Sequence, residues 1–296
     1  MAKKLPFTGS GVAIITPFDG HKTNYEALGE LIEMHIANKT DAIIVCGTTG
    51  EAATMPDEEH LAAIEYTVKK VGGRIPVIAG TGSNETAHAI KLSQAAEKMG
   101  VDSLLQVTPY YNKTTQKGLV QHFTEIANSV SVPIILYNVP SRTGMSISID
   151  ALKELAKINN IVGIKEASGN ISYTAQVAAA VPDLYIYSGN DDMIIPIMSL
   201  GGKGVISVLA NVLPKETHQM CQDYLDGNVE KARKAQLDLL DLANKLFIEV
   251  NPIPVKTAVN MMGYNAGNLR LPLTDMEPQN KEKLRAAMIN AGIKLA

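Results

Sequence analysis

Short apolar runs alternate with longer stretches of helical periodicity along most of the chain. Several runs, such as Ala42–Val45 and Ile134–Leu136, are apolar at consecutive positions, which is typical of strands buried on both faces of a parallel sheet. Eight runs of this kind are present: Gly11–Phe18, Asp41–Gly47, Ile75–Thr81, Ser103–Pro109, Pro133–Pro140, Ile161–Ser168, Leu184–Asn190 and Gly204–Ala210.

The stretches between these runs predict amphipathic helices. Apolar residues recur at three- and four-residue spacing in Tyr25–Asn38, and less regularly in Glu58–Val71. Eight strand–helix alternations predict a closed (β/α)8 TIM barrel. An open doubly wound sheet is the alternative, but Thr16–Gly20, at the end of the first run, is not the glycine-rich turn that dinucleotide-binding sheets carry.

The alternation stops after Gly227. The eighth helix of the barrel is predicted near Lys215–Leu225, and no low-complexity linker follows it. Three further helical stretches are predicted over Asn228–Val250, Val255–Met262 and Gln279–Asn290. We therefore expect a barrel domain over residues 1–226 and a C-terminal α-helical domain over residues 227–296 that packs on the barrel.

Composition narrows the class of protein. Of the 296 residues, 46% are hydrophobic and 19% are charged, which suits a large buried core and argues against disorder. The formal charge of −3, without long blocks of one sign, disfavours nucleic acid and membrane surfaces as partners. The sequence has neither a transmembrane-length apolar stretch nor the apolar segment of a signal peptide, so we expect a cytoplasmic protein.

Two residues at predicted strand ends indicate covalent chemistry, because active sites of such barrels lie at the C-terminal ends of the strands. Lys165 follows the apolar part of the sixth run, and Tyr137 lies near the end of the fifth. A Schiff base requires a neutral amine, and a water-poor site favours the neutral form of a lysine. Adjacent strands lie about 5 Å apart, so the Tyr137 phenol can reach Lys165 and shuttle protons. A solvent-facing lysine and a buried core tyrosine remain the alternatives.

Two further features can bind carboxylates. The turn Gly47–Gly50 offers two hydroxyls and several backbone N–H groups, although it can equally cap the next helix. Arg142 follows a proline in the loop after the fifth run and can bind a carboxylate through two parallel hydrogen bonds. An arginine at such a position can also simply lie on the surface.

Other polar residues predict no metal site. His218 and Cys221 have helical spacing, but no further ligand lies nearby in the sequence. Asp191 and Asp192 are expected to cap the seventh helix rather than bind a cation. Cys46 has no histidine partner in view, so we expect a buried core thiol.

Together these residues resemble the pyruvate-dependent class I aldolases, and within them the dihydrodipicolinate synthase family, from about Phe7 to the C-terminus. The motifs that carry the resemblance are Gly47–Glu51, Val107–Asn112, Tyr137–Gly144, Gly163–Glu166 and Asn251–Lys256. The resemblance implies an enzyme that condenses pyruvate with L-aspartate 4-semialdehyde on the diaminopimelate route to lysine, with no metal or organic cofactor.

The resemblance also implies catalytic roles. Lys165 would form the Schiff base with pyruvate, and Tyr137 would shuttle protons at the imine. Thr48 would link Tyr137 to Tyr111, which in this family enters the site from a neighbouring subunit. The family is usually a homotetramer, a dimer of tight dimers.

Substrate-binding roles follow from the same resemblance. Thr49 and the backbone amides of its turn would hold the pyruvate carboxylate, and Arg142 would hold the carboxylate of the semialdehyde. The backbone carbonyl of Ile206 and the region of Gly189 would complete the pocket.

An effector site is implied as well. His60, Asn84 and Tyr110 match positions at the tight-dimer interface where many members bind lysine. Position 88 is His88, whereas lysine-sensitive members tend to carry an acidic residue there. A cationic amino acid would lose one favourable charge at this position, so the response to lysine stays open.

Two alternative functions are consistent with parts of the pattern. A related lyase for N-acetylneuraminate or 2-keto-3-deoxygluconate would keep Lys165 and Tyr137, but Arg142 suits a carboxylate better than a polyol. A barrel that has lost catalysis and serves in binding or regulation would be expected to lack Lys165 or Tyr137, and both are present.

Overall fold

A computed structural model describes residues 3–296, and its central feature is a closed barrel of eight parallel strands. In chain order the strands are β1 Gly9–Ala13, β2 Phe18–Asp19, β3 Lys22–Thr23, β4 Ala42–Val45, β5 Val77–Gly80, β6 Ser103–Val107, β7 Ile134–Asn138, β8 Ile161–Glu166, β9 Tyr185–Ser188 and β10 Gly204–Ser207. β2 and β3 form a separate antiparallel hairpin, and β1 pairs with both β4 and β10 to close the barrel. The predicted TIM barrel is confirmed.

Helices follow the barrel strands and continue past them. They are α1 Tyr25–Ala37, α2 Asp57–Val71, α3 Thr86–Lys98, α4 Gln116–Asn128, α5 Pro140–Thr143, α6 Ile149–Leu155, α7 Ile171–Ala180, α8 Ile194–Ser199, α9 Pro214–Leu225, α10 Val229–Asp238, α11 Leu240–Lys245, α12 Ile253–Met261 and α13 Pro278–Asn290. Side chains of Asn24, Thr115, Ser148 and Asn170 cap the N-termini of α1, α4, α6 and α7. Within residues 3–296, none of these helices has the length and apolar character to cross a membrane.

The first strand differs from its predicted range, Gly11–Phe18. β1 begins at Gly9 and ends at Ala13, and the chain reaches the short hairpin only at Phe18. Gly9 pairs with Gly204, where a Cβ atom on Gly204 would lie 1.8 Å from the Gly9 carbonyl oxygen. Two facing glycines therefore let the strands meet, and an apolar pattern cannot reveal such a pair.

The single helix predicted over Asn228–Val250 is wrong. The chain forms α10 and α11 with an interruption at Leu239, and α11 ends at Lys245. Asn251 precedes Pro252, and the residue before a proline disfavours the helical conformation. α11 and α12 both pack against α13, and α10 packs on α9. The division into two domains after residue 226 stays a prediction.

The interior of the barrel is closed at its N-terminal end. The ring of Phe7 stacks on Tyr187 with 4.5 Å between centroids, and the Tyr187 hydroxyl donates to the Phe7 carbonyl oxygen at 2.7 Å. Above this plug the inward side chains form one apolar cluster that includes Ile44, Ile135 and Ile206. A second cluster fills the space between strands and helices. Packing at one end leaves the C-terminal ends of the strands to form a site.

Candidate active site

Lys165 and Tyr137 meet at the C-terminal end of the barrel. They are register partners on the neighbouring strands β8 and β7, and both side chains are buried. The Lys165 Nζ atom lies over the face of the Tyr137 ring, 4.4 Å from its centroid. An ammonium group is attracted to the electron-rich face of an aromatic ring, so this contact orients the amine without using the phenol oxygen.

Asn138 and Glu166, the residues that follow Tyr137 and Lys165, join the two strands on the outer side of the barrel. Asn138 Nδ2 donates to Glu166 Oε2 at 2.8 Å, and the Ser168 backbone N–H donates to Glu166 Oε1 at 2.7 Å. Burial raises the pKa of Glu166, and the hydrogen bonds from Ser168 and Asn138 oppose that shift. Because side chains alternate along a strand, a bond between Asn138 and Glu166 holds Tyr137 and Lys165 side by side.

A cavity of about 290 Å³ opens above this pair. Six of the eight residues predicted to act in catalysis or substrate binding line it: Thr48, Thr49, Tyr137, Arg142, Lys165 and Gly189. Asn190, Asp192, Phe247 and Asn251 also contribute to its walls. The fold therefore brings residues from five barrel loops and from the C-terminal helical region to one amine.

The other two predicted residues lie elsewhere. Ile206 does not line the cavity, and its side chain packs in the barrel interior in the same cluster as Tyr137. Tyr111 is 92% exposed, with a backbone φ of 69°. A single chain thus leaves Tyr111 away from Lys165.

Glycine is needed at position 189. A Cβ atom there would lie 2.6 Å from the Cβ of Ala167 and 3.1 Å from Cε of Lys165. Any larger residue would crowd the side chain of Lys165. The predicted position of Gly189 beside the pocket thus has a direct steric reason.

Asn251 connects two of the predicted substrate-binding residues. Its Nδ2 atom donates to Thr49 Oγ1 at 3.0 Å, and its backbone carbonyl accepts from Arg142 Nη2 at 3.1 Å. Its Oδ1 atom is buried and has no hydrogen-bond partner within residues 3–296. The sequence placed Asn251 at the start of a family motif but gave it no role, because its partners lie more than 100 positions away.

The expectation for Asp191 and Asp192 is wrong. Neither side chain caps α8 or the short turn before it. The Asp191 carboxylate instead accepts from the Ser207 hydroxyl at 2.6 Å and from the backbone N–H groups of Val208 and Leu209 at 3.0 and 2.9 Å. Burial raises the pKa of Asp191, opposed by these bonds. This carboxylate fixes the turn that follows β10.

Comparison with known proteins decides the family. Residues 6–291 match the model of the Dihydrodipicolinate synthetase family. The chain belongs to this family. It is 60% identical over 290 residues to the 4-hydroxy-tetrahydrodipicolinate synthase of Caldicellulosiruptor saccharolyticus, an alignment that covers 98% of each chain. The family resemblance carried by the motifs is confirmed, and the chain is an enzyme.

Solved structures agree with the family assignment. The dihydrodipicolinate synthase of Aquifex aeolicus superposes with a TM-score of 0.96 at 48% identity, covering 98% of this chain and 99% of that one. A chloride-inhibited dihydrodipicolinate synthase from Acinetobacter baumannii, solved with pyruvate, gives a TM-score of 0.95 at 44% identity, covering 97% and 99%. The barrel and its helical extension are thus those of the dihydrodipicolinate synthetase family.

A second cavity, of about 380 Å³, adjoins the first. Three of the residues predicted for an effector site line it: His60, His88 and Tyr110. Thr48, Tyr137 and Arg142 line both cavities and form the wall between them. Asn84 is outside this lining, and its backbone carbonyl accepts from Asn112 Nδ2 at 2.9 Å.

The histidines of the second cavity already have polar partners. His88 Nε2 lies 2.8 Å from Asp57 Oδ1, and His88 Nδ1 lies 3.0 Å from Ser83 Oγ. His60 Nε2 lies 2.8 Å from the Gly80 carbonyl oxygen. Burial lowers the pKa of His60, which favours its neutral form.

Of the remaining candidates, His218 and Cys221 line neither cavity, whereas Cys46 is part of the wall of the second one. His218 Nδ1 is 2.8 Å from Asp41 Oδ2. Cys46 and Cys221 are buried, and burial raises the pKa of both thiols. In the part of the chain from residue 3 onward, no three His, Cys, Asp or Glu side chains are grouped as metal ligands would be.

Proposed function

We propose that the chain condenses pyruvate with L-aspartate 4-semialdehyde to give 4-hydroxy-tetrahydrodipicolinate, a precursor of diaminopimelate and lysine. The observation that carries the proposal is the buried amine of Lys165, which lies over the Tyr137 ring below a cavity that Arg142 also lines. The relative from Caldicellulosiruptor saccharolyticus is named for this product, which supports the same reaction here.

The first half of the reaction uses the amine. Lys165 Nζ attacks the ketone carbon of pyruvate, and the resulting carbinolamine loses water to form an imine. The Tyr137 hydroxyl moves protons in these steps, as a positioned phenol can. Loss of a methyl proton then gives an enamine. The protonated imine on Lys165 accepts the electron pair left by this proton, so the proposal needs no metal or organic cofactor.

The second half uses the polar walls of the cavity. Thr49 and the backbone of its turn hold the pyruvate carboxylate, while Arg142 binds the carboxylate of the semialdehyde. The enamine carbon attacks the aldehyde carbon, and a C–C bond forms. The substrate amino group then attacks the imine carbon, which closes the ring and releases Lys165.

Turnover tests the proposal directly. Pyruvate and L-aspartate 4-semialdehyde are supplied with the reductase that consumes the product, and cleavage of N-acetylneuraminate and 2-keto-3-deoxygluconate is measured alongside. We expect turnover of the semialdehyde and no cleavage of either sugar acid. Cleavage of a sugar acid without semialdehyde turnover would contradict the proposal for the aldehyde pocket.

We also propose a homotetramer in which Tyr111 completes the site of a neighbouring subunit. The 92% exposure of Tyr111 and the position of Thr48 between the two cavities support this arrangement. Light scattering measures the mass in solution. A monomer with full turnover would contradict the proposal.

The second cavity is proposed as the effector site for lysine, with His60, His88 and Tyr110 in its wall. Asp57 is already paired with His88 and with Lys91 Nζ at 2.9 Å, so its charge is partly compensated before any cation binds. Inhibition by added lysine tests the site. A cytoplasmic location likewise stays a prediction.

A further inference from the structure

Two of the family motifs end in residues to which the proposed reaction gives no role. Glu51 ends the motif that starts at Gly47, and Lys256 ends the motif that starts at Asn251. In the fold the two ends meet, and Lys256 Nζ lies 2.7 Å from Glu51 Oε1. Both side chains are only 1% exposed, so this is a fully buried ion pair.

Three more residues complete the cluster, which we call the buried clamp: Glu51, Lys256, Phe18, Arg270 and Glu59. The Phe18 ring lies 4.1 Å from Lys256 Nζ and 3.7 Å from Arg270 Cζ. Glu51 Oε2 accepts the Arg270 backbone N–H at 3.1 Å. The Arg270 guanidinium binds both oxygens of Glu59, at 2.6 and 2.7 Å.

Stability alone does not account for a pair of this kind. Moving two charges out of water is costly, and a well-packed apolar pair of similar volume commonly holds a fold equally well. Burial lowers the pKa of Lys256 to about 8, while its attraction to Glu51 opposes that shift. The buried pair Glu51–Lys256 thus carries a desolvation cost. A role in fixing the local geometry explains the presence of the pair more directly than a gain in stability does.

The clamp holds the turn that lines the active-site cavity. Glu51 has a left-handed backbone, with φ of 55°, and its N–H donates to the Thr48 carbonyl oxygen at 3.1 Å. Asn251, at the other end of the second motif, donates to Thr49 Oγ1 at 3.0 Å. The segment Asn251–Lys256 therefore contacts the turn Gly47–Glu51 at two points, Thr49 and Glu51.

We propose that Glu51 and Lys256 are positioning residues that hold Thr48 and Thr49 in the arrangement that binds pyruvate. The inference rests on the proposed pyruvate chemistry and extends it. Neither side chain lines the cavity or touches Lys165. Their effect on the reaction passes through the backbone of the turn.

Pyruvate-dependent trapping tests this inference. Borohydride reduces the imine formed with pyruvate, so the fraction of trapped protein at each pyruvate concentration gives the half-saturating concentration without the second substrate. The informative variant is the double substitution Glu51→Gln with Lys256→Met, which removes both charges and leaves no unpaired buried ion. We expect a half-saturating pyruvate concentration at least tenfold higher than that of the wild type, with the borohydride adduct still on Lys165.

Matched variants separate positioning from folding. Lys234→Met removes an exposed lysine that pairs with Asp238, and it should leave trapping unchanged. The single variant Lys256→Met leaves Glu51 charged and buried, so it should melt at a lower temperature than the double variant.

Three results would overturn the inference. If the half-saturating pyruvate concentration of the double variant is within twofold of the wild-type value, the positioning role is excluded. A double variant that fails to fold would show that the pair serves the fold instead. Absence of trapping in the wild type would overturn the proposed function itself, and the inference with it.

Discussion

At the scale of single residues, the position of the Lys165 amine, the proposed nucleophile, is set by its immediate neighbours. Lys165 is 6% exposed, its Nζ lies over the Tyr137 ring, and Gly189 leaves room beside its Cε atom. These contacts hold the amine at the base of the cavity. Imine formation also needs a proton carrier, and Tyr137, whose ring contacts the amine, carries a phenol hydroxyl.

The variant Tyr137→Phe removes the hydroxyl and keeps the ring, so it tests the two groups independently. The ring face that contacts Lys165 remains, but the proton carrier is lost, so pyruvate trapping at Lys165 should slow by about 100-fold or more. The measurement is the rate of borohydride-sensitive adduct formation. Tyr185→Phe is the matched control, because the Tyr185 hydroxyl donates to the Lys3 carbonyl oxygen at 2.8 Å. Equal rates for Tyr137→Phe and the wild type would remove the phenol from the mechanism.

The sequence predicted the closeness of Lys165 and Tyr137 because adjacent strands have a fixed spacing. It did not predict that the amine contacts the ring face, since a rotamer depends on the packing around it. Asn251 was missed for another reason. It joins Thr49 and Arg142 across long stretches of chain, and no local period encodes such a contact.

At the scale of secondary-structure elements, one carboxylate links two barrel loops. Asp191 follows β9, yet its oxygens accept three hydrogen bonds, one from the last residue of β10 and two from the turn after it. The sequence suggested a cap for the next helix because Asp is common at such positions. The tertiary fold instead offers Asp191 three donors from a neighbouring strand end, and these donors satisfy the buried carboxylate.

Asp191→Ala should therefore destabilise the fold. Three buried donors would lose their acceptor, and we expect the free energy of unfolding to fall by roughly 3 kcal/mol or more. Urea unfolding at a fixed protein concentration measures the change. Asp192→Ala removes the exposed neighbouring carboxylate and should change stability by about 0.5 kcal/mol or less. Equal losses for the two variants would contradict the account of the turn.

The eight strands were predictable because barrel strands are apolar on both faces, and that pattern survives in the sequence. Their ends were less predictable. β1 starts two residues early because Gly9 and Gly204 allow a close backbone approach. The break at Leu239 between α10 and α11 has no signal in the apolar spacing, which runs through that residue without interruption.

At the scale of the whole molecule, buried histidines affect acid stability. His35 is fully buried in α1, and burial lowers its pKa from 6.5 to about 3. The unfolded chain takes up this proton below about pH 6.5, whereas the folded chain does not until about pH 3. The contribution of this group to folding stability is therefore complete above pH 6.5 and is lost as the pH falls to about 3, by roughly 5 kcal/mol in total.

A histidine variant isolates this contribution. His35→Gln should reduce the slope of unfolding free energy against pH between pH 6 and 4, by about 1.4 kcal/mol per pH unit relative to the wild type. Urea unfolding across that range gives both slopes. His21→Gln replaces an exposed histidine and should leave the slope unchanged. Parallel curves for His35→Gln and the wild type would exclude His35 as a source of acid sensitivity.

The central proposal for the whole molecule is that pyruvate becomes covalently bound at Lys165. The most direct test is reduction with borohydride in the presence of pyruvate, followed by peptide mass mapping of the wild type and of Lys165→Ala. We expect one reduced pyruvate adduct per chain on Lys165 in the wild type and none in the variant. An adduct on another lysine, or an adduct that persists in Lys165→Ala, would contradict the account.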